Sequence, residues 1–90
     1  MIKSFRNKGL KEVFETGRSK RVRADQLIRI ADRLEVLDRA STIKNIDFPG
    51  FRLHRLKGAD RWAIAVNGPW RITFGWDGQN VTDVDLEQYH

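Results

Sequence analysis

Five side chains outside the predicted helices could transfer protons or hold negative charge. They include both histidines and the only tyrosine of the chain, and they are His54, Lys57, Arg71, Tyr89 and His90. Histidine titrates near neutral pH, so it can act as a base or as an acid. Lysine and arginine can stabilise a developing negative charge, and tyrosine can donate a hydrogen bond or stack on a base. Together these residue types suit the cleavage of a phosphodiester.

RNA offers such a reaction because its 2′-hydroxyl can attack the adjacent phosphate without a metal ion. The attack needs a base for the hydroxyl, an acid for the leaving 5′-oxygen and cations for the charged phosphorane. Ordinary structural roles stay open as well, since a lone histidine in a strand is more often a partly buried polar residue. Arg71 could pair with Asp83 or Asp85 across a sheet. Tyr89 and His90 could form a frayed chain end.

The sequence carries no sign of cofactor or metal chemistry. It has no cysteine and no helical His-x₃-His pair, so the signal for a metal site is weak. Motifs for a glycine-rich phosphate loop, a serine or cysteine nucleophile and a dinucleotide site are also missing. The sequence therefore predicts an activity that uses neither a metal ion nor a cofactor.

The charge of the chain favours nucleic acid as a partner. The formal net charge is +5, and all but two of the 17 Lys and Arg residues lie within residues 1–58. The segment GRSKRVR reads as a basic loop and holds Arg18, Lys20, Arg21 and Arg23. A basic surface binds polyphosphate by releasing its counterions. Plain solubility is the alternative explanation of this charge.

The length of the chain predicts one small domain, residues 1–90, with a thin core. MIKSF predicts an opening strand, and KGLKEVFETG predicts a short helix that stops at Gly17. The spacing of Leu27, Ala31 and Leu34 predicts a longer amphipathic helix from Ala24 to about Ala40.

No run approaches the ~20 apolar residues of a membrane span, and the start lacks the apolar block of a secretory signal. We therefore expect a cytoplasmic protein without membrane contact.

The second half predicts an antiparallel meander of three strands, WAIAV, WRITFGW and NVTDVDL. Asn67-Gly68 and Asp77-Gly78 separate them and supply the positive φ angles of two-residue hairpin turns. Period-two alternation places the large apolar residues on the face that the helices cover. The opposite face carries small and polar residues, which predict a shallow open groove there: Ala63, Ala65, Arg71, Thr73, Gly75, Asp83 and Asp85. The expected class is α+β, with the opening strand and two helices packed on one face of a mainly antiparallel sheet.

The segment GFRLHRLKG, residues 50–58, brings further cations beside His54. In a strand, Arg52 and His54 share a face, and the apolar alternation slips at Arg55 and Leu56. Lys57 reaches the face of His54 only if a bulge intervenes, and the sequence leaves this open.

These segments resemble the HigB toxins of bacterial type II toxin-antitoxin pairs, within the RelE/ParE superfamily. The resemblance rests on MIKSF with KGLKEVFETG, on LHRLKG, on the hairpin WAIAVNGPWRITFGW and on the closing Tyr-His, and it spans nearly the whole chain. It implies a curved, RelE-like sheet and an mRNA endonuclease that cuts message in the decoding site of the ribosome by the 2′-hydroxyl route. It also implies a helix-turn-helix antitoxin, HigA, as the inhibitor, with operator DNA reached only through that antitoxin.

On this resemblance the catalytic set falls on the five residues named first. The two histidines would share proton transfer, the two cations would stabilise phosphate charge, and Tyr89 would position the nucleotide. Contacts to ribosomal or messenger RNA would come from six further cations: Arg18, Lys20, Arg21, Arg23, Arg52 and Arg55. One position departs from the family, because HigB toxins usually carry an acid just before Tyr-His. Here that residue is Gln88, which can hydrogen-bond but carries no charge.

Two rival functions stay open from the sequence. A ParE-like protein shares the fold and inhibits gyrase without cutting RNA, although the terminal Tyr-His and the pair His54 and Lys57 argue against it. A non-enzymatic basic module would bind nucleic acid and serve mainly as the partner of an antitoxin.

Overall fold

The computed structural model describes residues 1–88, in which two α-helices pack against a four-stranded antiparallel sheet. Helix α1 spans Lys8–Thr16 and helix α2 spans Leu27–Arg39. The strands lie side by side in chain order: β1 His54–Arg55, β2 Trp62–Asn67, β3 Trp70–Trp76 and β4 Val81–Gln88. The prediction of an α+β fold is therefore confirmed.

Both predicted helices are present, with ends that follow from their sequences. The side chain of Asn7 caps α1 by accepting a hydrogen bond from the backbone N–H of Leu10 at 3.0 Å. Helix α1 ends at Gly17, whose φ of 85° gives the left-handed cap that the sequence predicts. A short 3₁₀ turn, Ala24–Gln26, leads into α2, so the second helix begins slightly later than predicted.

The opening segment pairs with the sheet through two isolated parallel bridges instead of a continuous strand. Ile2 pairs with Val81, and Phe5 pairs with Val84. Between these bridges β4 contains Asp83 with a φ of 50°, a conformation that interrupts a regular ladder. The predicted N-terminal strand therefore lies along β4 but is too irregular to pair throughout.

A bulge in β4 changes the register that period-two reading predicts. The pairs Thr73–Asp85 and Gly75–Thr82 leave one residue of β3 opposite two residues of β4. Because side chains alternate along a strand, one extra residue moves the following side chains to the other face. Val81 and Val84, which lie on either side of Asp83 along β4, are accordingly both fully buried.

The two hairpin loops also differ from the predicted ones. Asn67 pairs with Trp70, so the first loop is Gly68 and Pro69 and lies one residue later than expected. The prediction of a two-residue turn at Asp77-Gly78 is wrong, because this loop has four residues, 77–80. The Asp77 carboxylate accepts hydrogen bonds from the backbone N–H groups of residues 79 and 80, at 2.9 and 2.6 Å. These bonds favour the wider turn, and they lower the pKa of Asp77.

The core lies between the two helices and one face of the sheet, as the apolar pattern predicts. Leu10 of α1, Ile30 and Leu34 of α2 and Ile72 and Phe74 of β3 are almost fully buried. The three tryptophans of the sheet pack against the rim of this core. Neither helix among residues 1–88 has the length and apolar content that a membrane span requires.

Candidate active site

A cavity of about 200 Å³ opens at one end of the sheet, between β1 and the hairpin of β2 and β3. Its seven lining residues come from three separate parts of the chain: Arg52, His54, Ala65, Gly68, Pro69, Trp70 and Arg71. Two members of the predicted catalytic set, His54 and Arg71, thus meet at one site although 17 positions separate them. We call this cavity, defined by those seven residues, the sheet-end cavity.

His54 lies in the short strand β1, opposite Ala63 of β2, with its side chain exposed. The ring Nδ1 is 2.8 Å from the backbone carbonyl oxygen of Arg52. A carbonyl oxygen can only accept, so this hydrogen bond assigns the proton to Nδ1. In the neutral ring the other nitrogen, Nε2, then carries a lone pair and can accept a proton.

The hydrogen bond to His54 depends on an unusual backbone conformation at Arg52. Arg52 has a φ of 52°, one of two positive values among the described non-glycine residues. A left-handed conformation costs an L-residue roughly 1–2 kcal/mol, so the surrounding structure must hold it. The conformation turns the Arg52 carbonyl toward the ring of His54 while the Arg52 side chain lines the cavity.

Comparison of Arg52→Gly with Arg52→Ala separates the backbone role of Arg52 from the role of its charge. We expect Arg52→Gly to raise the free energy of unfolding by about 1 kcal/mol relative to Arg52→Ala, since glycine adopts positive φ without strain. Both variants lose the same positive charge, so a difference between them reports on the backbone conformation alone. Urea unfolding measures the first difference, and equal stability of the two variants would contradict the strained conformation.

Arg33 of α2 fixes the segment that precedes β1. Its Nε donates to the carbonyl oxygen of Ala65 at 2.6 Å, and its guanidinium lies 4.5 Å from the ring centroid of Phe51. The backbone carbonyl of Phe51 in turn accepts from the N–H of Ala65 at 2.6 Å. Burial, followed by the positive charge of Arg29, lowers the pKa of Arg33. The helix, the middle of the sheet and the residue before Arg52 are therefore held together at one point.

Arg71 is the second residue of β3 and is half-buried, with Ala65 as its partner on β2 and Glu87 as its partner on β4. The small side chain of Ala65 leaves room beside Arg71, as the sequence predicts. Glu87 was not among the predicted site residues. The four-residue loop and the bulge together shift the register of β4 by three positions, and no local pattern in the sequence signals that shift.

The open groove predicted for this face is only partly present. Ala63 and Thr73 are buried, and Gly75 is also covered because a Cβ there would lie 2.6 Å from Oγ1 of Thr82. Arg61 lies across the face, with its Nη2 donating to Thr73 Oγ1 at 3.0 Å and to the Asp83 carbonyl oxygen at 2.8 Å. Among the described residues, the predicted groove is therefore absent from the half of this face around Arg61, Thr73 and Gly75, and an open concavity is present at the sheet-end cavity.

Charges of both signs surround Arg61. Burial is the largest cause that lowers the pKa of Arg61, and the positive charge of Arg6 lowers it further. Three carboxylates act in the opposite direction: Glu87, Asp83 and Asp85. The buried Nε of Arg61 has no hydrogen-bond partner within residues 1–88. Charged side chains of both signs thus cover this half of the face, which does not form an open groove.

Comparison with known proteins identifies the family. Residues 3–90 match a family model described as a RelE-like toxin of the type II toxin-antitoxin system HigB. The chain belongs to the HigB family. The curated protein Endoribonuclease HigB from Proteus vulgaris is 43% identical over 93 residues, an alignment that covers 100% of both chains. The predicted family is therefore confirmed, and a protein antitoxin is the partner that defines a type II system.

Other predicted site residues of this HigB-family chain lie away from the sheet-end cavity. Lys57 is exposed in the turn between β1 and β2, and it is not among the residues that line the cavity. Arg55 lies in β1 and forms an ion pair with Asp60 at 2.7 Å. Tyr89 and His90 lie outside the described residues. The last described residue, Gln88, pairs with Trp70, which does line the cavity.

The basic loop of this HigB-family chain borders a separate concavity of about 700 Å³, between the end of α1 and the start of α2. Two of its four predicted RNA contacts are engaged within the chain. Arg21 lies 3.3 Å from Glu12, and Arg23 lies 2.8 Å from Asp25. The other two, Arg18 and Lys20, have no side-chain partner within the described residues. Within residues 1–88, no three His, Asp or Glu side chains come close enough to form a metal site.

Proposed function

We propose that this HigB-family toxin is an endoribonuclease that cuts messenger RNA on the ribosome and thereby inhibits translation. The observation that carries the proposal is the sheet-end cavity, which is lined by both His54, whose Nδ1 is bonded to a backbone carbonyl, and Arg71. The name of its Proteus vulgaris relative supports RNA as the substrate. The proposed cut takes place on the ribosome and needs no metal ion.

In the proposed reaction the 2′-oxygen of one nucleotide forms a bond to the adjacent phosphorus. The bond from phosphorus to the 5′-oxygen breaks, and the products are a 2′,3′-cyclic phosphate and a 5′-hydroxyl. A base takes the proton of the 2′-hydroxyl, and an acid gives a proton to the leaving 5′-oxygen. Nε2 of His54 suits one of these roles because Nδ1 is held by the Arg52 carbonyl. Arg71 stabilises the extra charge of the phosphorane.

The second proton-transfer group of the proposal is His90, and Tyr89 positions the nucleotide. Both follow Gln88, the partner of Trp70 on the cavity wall. His54 and Arg71 line the same cavity as Trp70, and we propose that Tyr89 and His90 act there with them.

Lys57 completes the proposed set from a different position. It lies in the turn beyond β1, so it would contact the part of the RNA that extends out of the sheet-end cavity. We propose a HigA-like helix-turn-helix protein as the antitoxin, with operator DNA bound only through that partner. No cofactor takes part in the proposed reaction.

The basic loop should contribute unequally to ribosome binding. We expect the double variant Arg18→Ala, Lys20→Ala to reduce the slope of log affinity against log salt by about 1.5, as two phosphate contacts would. The double variant Arg21→Ala, Arg23→Ala removes the same charge but should change the slope clearly less, because Glu12 and Asp25 already engage those arginines. Ribosome cosedimentation across a salt series measures both slopes. Equal slopes in the two variants would contradict this division of the loop.

Mapping of message 5′ ends after brief induction tests the proposed function. Cuts should be in register with the reading frame and should disappear when translation is blocked, and they should also disappear in a His90→Ala variant that still binds its antitoxin. Frame-independent cuts that persist on purified RNA would overturn ribosome dependence. An intact transcriptome together with trapped gyrase would overturn the nuclease and favour inhibition of a topoisomerase.

A further inference from the structure

A chain of hydrogen bonds crosses the sheet beside the sheet-end cavity. Nη2 of Arg61 donates to Oγ1 of Thr73 at 3.0 Å, and Oγ1 of Thr73 donates to Oε2 of Glu87 at 2.5 Å. Thr73 is only 1% exposed. Because a guanidinium can only donate, the single hydroxyl proton of Thr73 is directed at Glu87. Both hydrogen bonds therefore run in one direction, with Arg61 donating to Thr73 and Thr73 donating to Glu87.

The series of hydrogen bonds ends at Glu87, the residue that faces Arg71. Glu87 and Arg71 are direct partners across β4 and β3, an arrangement in which Cβ atoms lie about 4.5–5.5 Å apart. Glu87 is otherwise exposed, and a free glutamate samples many rotamers in water. The bond from Thr73 holds the carboxylate over the sheet face that also carries the side chain of Arg71.

We propose that Thr73 and Glu87 are positioning residues for Arg71, holding a fixed carboxylate opposite the guanidinium that binds the phosphate. The inference rests on the proposed ribonuclease function and extends it to two residues that do not touch the RNA. An anchored negative charge restricts Arg71 to a narrow set of orientations before RNA binds. Such preorganisation raises the rate, whereas the same carboxylate repels RNA and weakens binding. A change at Glu87 should therefore move the rate and the affinity in opposite directions.

Single-turnover cleavage of a message on programmed ribosomes tests the inference in four variants. Glu87→Gln removes the charge, and Thr73→Val removes the hydroxyl while keeping the shape of the side chain. Both should lower the cleavage rate roughly tenfold or more, while the concentration of toxin at half-maximal rate stays equal or falls. Thr73→Ser keeps the hydroxyl and should cleave within about threefold of the wild type. Asp85→Asn removes an equal charge from the same strand and should also stay close to the wild type.

Thermal unfolding of all four variants and the NMR signal of the Arg71 Nε–H give readouts that do not need RNA cleavage. Loss of order in Thr73→Val and Glu87→Gln should broaden or shift the Arg71 signal, whereas Thr73→Ser and Asp85→Asn should leave it in place. Wild-type rates in Thr73→Val and Glu87→Gln, or an unchanged Arg71 signal in both, would overturn the inference. A rate loss that follows only the melting temperature would also overturn it. A wild-type protein that cleaves no RNA, with the Arg71 signal still responding, would instead overturn the proposed function alone.

Discussion

Replacement of His54 by asparagine should lower the rate of message cleavage about 100-fold to 10,000-fold, the range that general acid-base catalysis contributes. The side-chain amide of asparagine can keep a hydrogen bond to the Arg52 carbonyl in place of Nδ1–H. It cannot take or give a proton at neutral pH, so it lacks the function of Nε2. The variant therefore preserves the local structure and removes only the proposed chemistry. Cleavage on programmed ribosomes under single-turnover conditions measures the loss.

His54→Ala is the matched control because it removes both the hydrogen bond and the ring. If His54 acts in proton transfer, the asparagine and alanine variants should be equally slow. If its contribution is only the bond to Arg52, asparagine should restore activity, and this result would contradict the catalytic role. Both variants should unfold at nearly the same denaturant concentration as the wild type, because the His54 side chain is exposed.

Arg71→Ala should lower the cleavage rate about 100-fold to 1,000-fold, the loss typical of removing one group that stabilises transition-state charge. Glu87, the partner of position 71 on β4, keeps its negative charge in this variant and would repel the bound phosphate. Arg71→Lys keeps the charge but loses the planar fork that contacts two phosphate oxygens, so its rate should lie between those of alanine and the wild type. Rates with and without excess toxin would separate slower chemistry from weaker binding.

Lys57→Ala provides the comparison for Arg71, since it removes the same charge from outside the sheet-end cavity. Its position in an exposed turn predicts a smaller effect, roughly tenfold, and mostly on binding. Equal losses in the Lys57 and Arg71 variants would show that the cavity does not define the reacting centre. A larger loss for Lys57 would move the proposed phosphate site along β1.

The sequence was sufficient wherever structure depends on nearby residues. The helix cap at Gly17, the amphipathic spacing of Leu27, Ala31 and Leu34, and the apolar alternation of the hairpin all gave correct elements. These features depend on local backbone preference and on burial of one face, and both are written in short stretches of sequence. The types of residue present also identified RNA chemistry as the main hypothesis.

The turns and registers were less predictable, and they decide what lies beside Arg71. The Asp77 side chain bonds two backbone N–H groups and widens the loop, and the positive φ of Asp83 adds a bulge. The two deviations together bring Glu87 opposite Arg71. A one-residue error in register changes which face every side chain reaches, so such an error affects the site far more than the fold.

From its sequence alone, this chain determined its class, its family and the candidate residues His54 and Arg71, because residue types and local spacing carry that information. Only the tertiary structure decided that Arg61 closes half of the sheet face, that Arg52 turns its carbonyl toward His54, and that Lys57 lies outside the cavity. These outcomes depend on contacts between residues distant along the chain and on backbone conformations that packing imposes. A hydrogen bond from Arg61 to Thr73 has no local signature in the sequence, since it exists only after the strands have paired.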